Sequence, residues 1–130
     1  MKYSTLTENE EFIGKSIVHA AYQIHKEIGP GLLEKVYELC MLHELMAQGF
    51  HVKRQAIIPI KYKGIHFDEG LRLDLLVNNA VIVEIKAMDT VNAVWEAQIL
   101  SQLKLSELKL GYLINFNVVL IKNGIRRFRM

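Results

Sequence analysis

Three charged residues stand in the otherwise apolar run LDLLVNNAVIVEIKA, residues 73–87, and their types and spacing could do chemistry: Asp74, Glu84 and Lys86. Two carboxylates held side by side repel unless one takes a proton or a cation sits between them, and a hard divalent ion such as Mg²⁺ prefers oxygen donors of this kind. An ammonium beside them could orient water or offset negative charge developing on a phosphoryl group. The pattern D-x9-E-x-K is short and permissive, so an ordinary alternative stands beside it: Lys86 paired with Glu84 or Asp74 in a solvated cluster with no chemical role.

A hairpin is the element that would bring the three together. Asn78 and Asn79 accept the left-handed backbone of a tight turn. With Asn78, Asn79 and Ala80 as the turn, Val77 pairs with Val81, Leu76 with Ile82, Leu75 with Val83 and Asp74 with Glu84. Cross-strand partners share a face. The period of two adds Lys86 to the face of Glu84 and sends Val83, Ile85 and Ala87 to the other.

The flanking elements follow from periodicity and stop signals. Thr7 and Glu10 form a capping box, and Ile13, Ile17, Ala20 or Ala21, Ile24 and Ile28 repeat at helical spacing, which predicts a helix over about residues 8–28 ended by Gly29-Pro30-Gly31. A second helix restarts near Leu32, with Leu33, Val36, Tyr37, Cys40, Met41 and Leu45 as its stripe, and ends at Gly49. Val52, Ile58, Ile60 and Tyr62 fit strands, irregular near Gln55, with a turn at Gly64. Thr90 reads as the N-cap of a third helix running through Val94, Ala97, Leu103 and Leu108 towards Gly111. YLINF, VVLIK and IRRFRM, with an Asn123-Gly124 turn, read as further strands. The order is α-α-β-β-β-α-β-β-β. Strands 81–87 and 111–116 flank a helix and are expected to be parallel neighbours.

Composition excludes several classes. The chain has 130 residues, 51% hydrophobic and 23% charged, with Pro 2 and Gly 8, as expected for one globular domain over 1–130 rather than a fibrous or disordered chain. The net charge of +2 does not single out a nucleic acid or an anionic membrane, so any basic patch must be local. A single cysteine, Cys40, excludes an internal disulfide and a cysteine zinc cage, and its helical setting suggests a small core residue. The start MKYSTLTENEEF is polar and acidic, and no run approaches the roughly 18 apolar residues of a membrane span, so a cytoplasmic protein without membrane contact is expected.

D-x9-E-x-K on a hairpin followed by a helix resembles the core of the PD-(D/E)XK nuclease superfamily. The segment G31-L-L-E-K-V-Y37 looks like the signature of the small GxxExxY protein family, and with LINF the resemblance covers about residues 16–116. It implies a restriction-endonuclease-like α/β fold, a mixed central sheet flanked by helices with the active site at one sheet end. It also implies site roles. Glu34 matches the acid of the early helix, Asp74 the first strand acid, Glu84 and Lys86 the E-x-K element, and Gln98 the glutamine of the following helix. Two departures touch substrate positioning: Gln102 stands where an aromatic usually follows that glutamine, and Leu73 replaces the proline before the first acid. Glu34 and Tyr37 share a helix face at i and i+3, near an N-terminus that favours a carboxylate; without the hairpin, a first-turn acid and a packed aromatic would suffice.

The function expected is a phosphodiesterase acting on DNA or RNA, with Glu34, Asp74 and Glu84 holding Mg²⁺ or Mn²⁺, Lys86 serving the attacking water and Gln98 positioning it. Lys53, Arg54, Lys61 and Lys63, with Lys122, Arg126, Arg127 and Arg129, could contact phosphates, although exposed strands also carry such residues to keep edges soluble. The alternative is a catalytically inactive nuclease-like module, monomer or homodimer, that binds nucleic acid or a partner protein. A third possibility is a scaffold with no nucleic-acid role.

Overall fold

In the computed structural model of the chain, which describes residues 5–130, the capping box is formed: Thr7 Oγ1 accepts from the Glu10 N–H at 3.0 Å and Glu10 Oε1 accepts from the Thr7 N–H at 2.8 Å. The first four residues of the polar N-terminal stretch lie outside the described part. Helix α1 (Glu8–Ile28) buries Ile13, Ile17, Ala20, Ala21 and Ile24 and ends at Gly29, whose φ of 65° only glycine adopts freely. Helix α2 (Glu34–Ala47) starts two residues later than expected. Tyr37, Met41 and Leu45 of its stripe are buried, whereas Leu33 and Val36 are exposed and Cys40 is half-buried.

Five strands follow in sheet order β1 (Val52–Tyr62), β2 (Ile65–Val77), β3 (Val81–Lys86), β4 (Leu110–Asn115) and β5 (Ile125–Arg129), with helix α3 (Val94–Ser106) between β3 and β4. β3 and β4 are parallel, as expected of strands flanking a helix, and the other neighbours are antiparallel. Both β3 and β4 are apolar and almost wholly buried because helices cover both faces of the sheet. On one face, α1 and α2 pack on Leu75, Val77, Val83, Ile85, Tyr112 and Ile114. On the other, α3 places Trp95, Ile99 and Leu103 on Leu73, Leu76, Ile82 and Leu113. The result is the α/β architecture expected, with a mixed sheet between helices.

Three local expectations fail. VVLIK is not a strand: it is irregular and ends in a 3-10 turn over Ile121–Asn123, because β5 takes the hydrogen bonds of β4 directly. Gly124 lies so close to the Asn115 carbonyl that a Cβ would not fit. Thr90 does not cap α3; Asn92, two residues on, accepts at Oδ1 from the Val94 N–H at 3.0 Å. The helix ends at Glu107 in a left-handed conformation, φ 61°, not at Gly111, which lies inside β4. Among the described residues no helix is long and apolar enough to cross a membrane.

Candidate active site

The Asn78-Asn79 turn forms with both residues at positive φ, 51° and 52°, and the pairs Val77–Val81, Leu76–Ile82 and Leu75–Val83 hold in the expected register. The ladder stops one pair short of Asp74 and Glu84. There the strands fork, and the two carboxyl groups take the place of ladder bonds: Glu84 Oε1 accepts from the Asp74 N–H at 3.0 Å, and Asp74 Oδ2 accepts from the Ile85 N–H at 2.8 Å. Each acid thus satisfies a backbone donor on the opposite strand, and among the described residues its second oxygen accepts from no N–H.

The other edge of β2 breaks at the same level. Arg54 pairs with Leu75 and Ala56 with Leu73, but Gln55, opposite Asp74, is left-handed with φ 53°. Alternation slips there: Leu75 and Val77 join the core under α1 and α2, while Leu73 joins the core under α3. A non-glycine residue held at positive φ beside a candidate site is stored strain that surrounding contacts must hold in place. Here Glu38 supplies them, buried, accepting from Arg54 Nε at 2.5 Å and Gln55 Nε2 at 2.6 Å. It sits one helical turn beyond Glu34, so the same cluster ties the start of α2 to the fork.

Tyr37 performs the structural role open to it in the sequence. Its hydroxyl donates to the Gly29 carbonyl at 2.6 Å and accepts from the Leu32 N–H at 3.1 Å, and its ring stacks on Phe116 at 4.4 Å between centres. That lock shapes the turn from which Glu34 projects. The end of β3 is held likewise: the Phe116 N–H donates to the Lys86 carbonyl at 2.9 Å, and the Asn115 amide bonds both backbone groups of Met88 at 3.1 and 3.0 Å.

At the open end of the fork lies a cleft of about 580 Å³ lined by Glu34, Arg72, Asp74, Glu84, Lys86, Gln98, Ser101 and Gln102, among others. The structure therefore brings all five expected residues to one cavity, though not into equal contact. Asp74 and Glu84 face each other directly; Glu34, exposed at the start of α2, is near enough to feel the charge of Asp74, and among the described residues no three acidic, histidine or cysteine side chains form a ready cage. Lys86 makes no ion pair with either acid; its Nζ lies 5.5 Å from the ring centre of Trp95. Arg72, Ser101 and the Glu38 cluster escaped the sequence reading because their relation to the site is set by tertiary packing; the spacing of Glu38 from Glu34 was the one available signal.

Burial and the charge of Asp74 push the Glu84 carboxyl up to about 8, against the opposing pull of the Asp74 N–H and Lys86. The Glu34 carboxyl is also raised, first by burial and then by Asp74 and Glu38, with Lys86 opposing. Gln102, 9% exposed, holds an Oε1 with no hydrogen-bond partner among the described residues, and it lines the same cleft. All the uncommitted donors are oxygens, and two neighbouring acids oppose each other's ionisation, so the set fits a hard divalent cation. Burial and the charge of Glu44 push the Cys40 thiol up.

Among the expected phosphate contacts, Arg54 is spent on Glu38, Arg126 pairs with Glu96 at 3.2 Å and Arg127 with Glu11 at 3.2 Å. Lys53, Lys61, Lys63 and Lys122 are exposed and make no ion pair among the described residues.

A mixed sheet between helices, forked at paired acids with a lysine two residues on, defines the chain as a restriction-endonuclease-like α/β domain. A family model of the PD-(D/E)XK nuclease superfamily matches residues 11–128, and the chain belongs to that superfamily. The Gly31–Tyr37 signature is compatible with this membership. No curated protein and no solved structure shows a significant match to the chain. Nucleases of the superfamily generally use divalent metal ions.

Proposed function

We propose that the chain is a metal-dependent phosphodiesterase acting on nucleic acid, with Asp74, Glu84 and Lys86 at its centre. One observation carries the reading: the two carboxyl groups interlock across the β2–β3 fork in a cleft that Lys86 also lines. A divalent ion held by Asp74 and Glu84, with Glu34 acting through a water, would polarise a phosphoryl oxygen and neutralise charge there. The chain's own groups do the rest. Lys86, supported by the Trp95 ring, orients the attacking water and offsets charge as the new P–O bond forms and the ester P–O bond breaks. Gln98, exposed on the facing wall of the cleft, hydrogen-bonds that water or the substrate backbone. The products are a phosphomonoester end and a free hydroxyl.

The competing reading, a nuclease-like module that binds without cutting, draws support from Gln102, which stands where the resemblance expects an aromatic residue. Incubating the protein with Mg²⁺ or Mn²⁺ and a panel of single-stranded, duplex and branched DNA and RNA separates the two. Cutting that Lys86→Ala abolishes is the expected result; intact binding with no cutting on any substrate favours the module.

A further inference from the structure

β1 and β2 continue beyond the last pair that β2 makes with β3, so residues 57–72 form a two-stranded ribbon whose outer β2 edge has no partner strand among the described residues. Its turn, Lys63-Gly64, has φ of 47° and 80°, the tight geometry that suits a twisted hairpin. The tip pairs are Ile60–Phe67, Lys61–His66 and Tyr62–Ile65. Partners share a face, so Ile60, Tyr62, Ile65 and Phe67 lie on one side and Lys61 and His66 on the other. The apolar side is open: Tyr62 is 58% exposed, Ile65 57% and Phe67 43%. Lys63 holds its Nζ 5.4 Å from the Tyr62 ring centre. Asp68 and Glu69 fall below the tip, in the irregular segment opposite Pro59.

A lone two-stranded ribbon is marginal in water, and exposed apolar strands are ordinarily avoided, so this surface needs an occupant. Two features say which. The base of the ribbon, Gly70, Leu71 and Arg72, is itself a wall of the cleft that holds Asp74 and Glu84. Aromatic rings interleaved with lysines also match a strand of bases and phosphates, since every base has a face to stack and every linkage a negative charge. We propose that the β1–β2 ribbon grips an unpaired nucleic-acid strand, with Tyr62 and Phe67 stacking on bases and Lys63, beside the Tyr62 ring, and Arg72, on the cleft wall, meeting phosphates. The assignment rests on the nuclease reading of the cleft. The tip lies roughly 20 Å along the strand from the cleft wall, so the preferred substrate carries several unpaired nucleotides beside the bond to be cut.

The test is fluorescence anisotropy with labelled single strands, blunt duplexes and duplexes bearing a single-stranded overhang, in EDTA and in Ca²⁺. Tyr62→Ala/Phe67→Ala is expected to weaken binding to the strand and the overhang by at least about 30-fold, and Lys63→Ala to lower the slope of log K against log salt by about 0.7. Blunt duplex is expected to bind more weakly than either. Strand affinity unchanged in the aromatic variant, or blunt duplex bound as tightly as overhang, overturns the proposal. So does light scattering that shows a dimer for the wild type and a monomer for Tyr62→Ala/Phe67→Ala, since the face would then belong to a second copy. Failures separate cleanly: ribbon-dependent binding without cutting under Mg²⁺ or Mn²⁺ sinks the nuclease reading alone, and cutting with ribbon-independent affinity sinks the grip alone.

Discussion

The β2–β3 hairpin puts charge where apolar residues belong, with Glu84 only 8% exposed among Leu, Ile and Val. The β1–β2 hairpin, which shares strand β2, puts apolar residues where charge belongs, with Ile57 60% exposed and Tyr62 58%. Folding alone favours neither arrangement: buried acids oppose ionisation, and exposed rings leave apolar area in water. The two departures meet at residues 70–74, where the ribbon joins the cleft. A strand whose inner part deviates towards charge and whose outer part deviates towards apolar surface suits the proposed nucleic-acid ligand, which carries both phosphates and bases.

The comparison breaks most readily at Lys86. Lys86→Ala should lower the cleavage rate by roughly 10²- to 10⁴-fold while the melting temperature stays close to wild type, because the side chain makes no ion pair among the described residues. Single-turnover kinetics beside thermal melts measure both. A variant that loses its fold in step with its activity would make Lys86 a structural residue and remove the contrast between the hairpins.

Next in size is a dependence on pH. The folded Glu84 carboxyl is raised to about 8 from an ordinary 4.5, so folding favours its protonated form. That contribution is complete below 4.5 and is lost as pH rises through about 8. Metal-free wild type should therefore lose stability relative to Glu84→Gln across this window, and Mg²⁺ added at the alkaline end should restore wild type only. Parallel melting curves for the two proteins would mean that the buried acid does not oppose the fold.

Much of this was legible in the chain because it is local. Residues 74–86 are one hairpin, and the alternation of two with Asn78-Asn79 at its tip is enough to place Asp74, Glu84 and Lys86 together. The capping box and the α1 stripe were readable for the same reason, and the parallel β3–β4 pair followed from the helix between the two strands. The fork was not. Simple pairing continues the ladder to Asp74 and Glu84, whereas the carboxyl groups bond the opposing backbone and part the strands. Only the irregularity at Gln55 hinted at it. Trp95 under Lys86 and Glu38 under Gln55 depend on how α3 and α2 dock, which local spacing does not encode. VVLIK was misread because an apolar run looks like a strand whether or not a neighbouring edge is free, and β5 already occupies that edge.

A smaller effect is expected at Tyr37. Tyr37→Phe keeps the stack on Phe116 but removes the hydroxyl that bridges Gly29 and Leu32, at a cost of about 1 kcal/mol. Since that bridge shapes the turn ahead of Glu34, activity should fall by more than the loss of folded protein explains. Denaturant melts read against specific activity at a temperature where both proteins are folded provide the check, and equal activity would detach Glu34 from catalysis.

The smallest effect on stability is expected in the ribbon, and there a near-zero result is informative. Tyr62 and Phe67 join neither buried cluster, and surface changes of this kind ordinarily alter stability by less than about 0.5 kcal/mol each. Tyr62→Ser/Phe67→Ser should therefore melt like wild type, and removing exposed apolar area should make the protein more soluble. A ribbon kept only as part of the fold would respond otherwise, because its residues would have to bury area to contribute. If the double variant melts several degrees lower, the face is already covered in the free protein, and a second copy of the chain becomes the occupant to look for. If it melts unchanged and loses affinity for single strands, the apolar exception on β1–β2 and the charged exception on β2–β3 serve the same ligand.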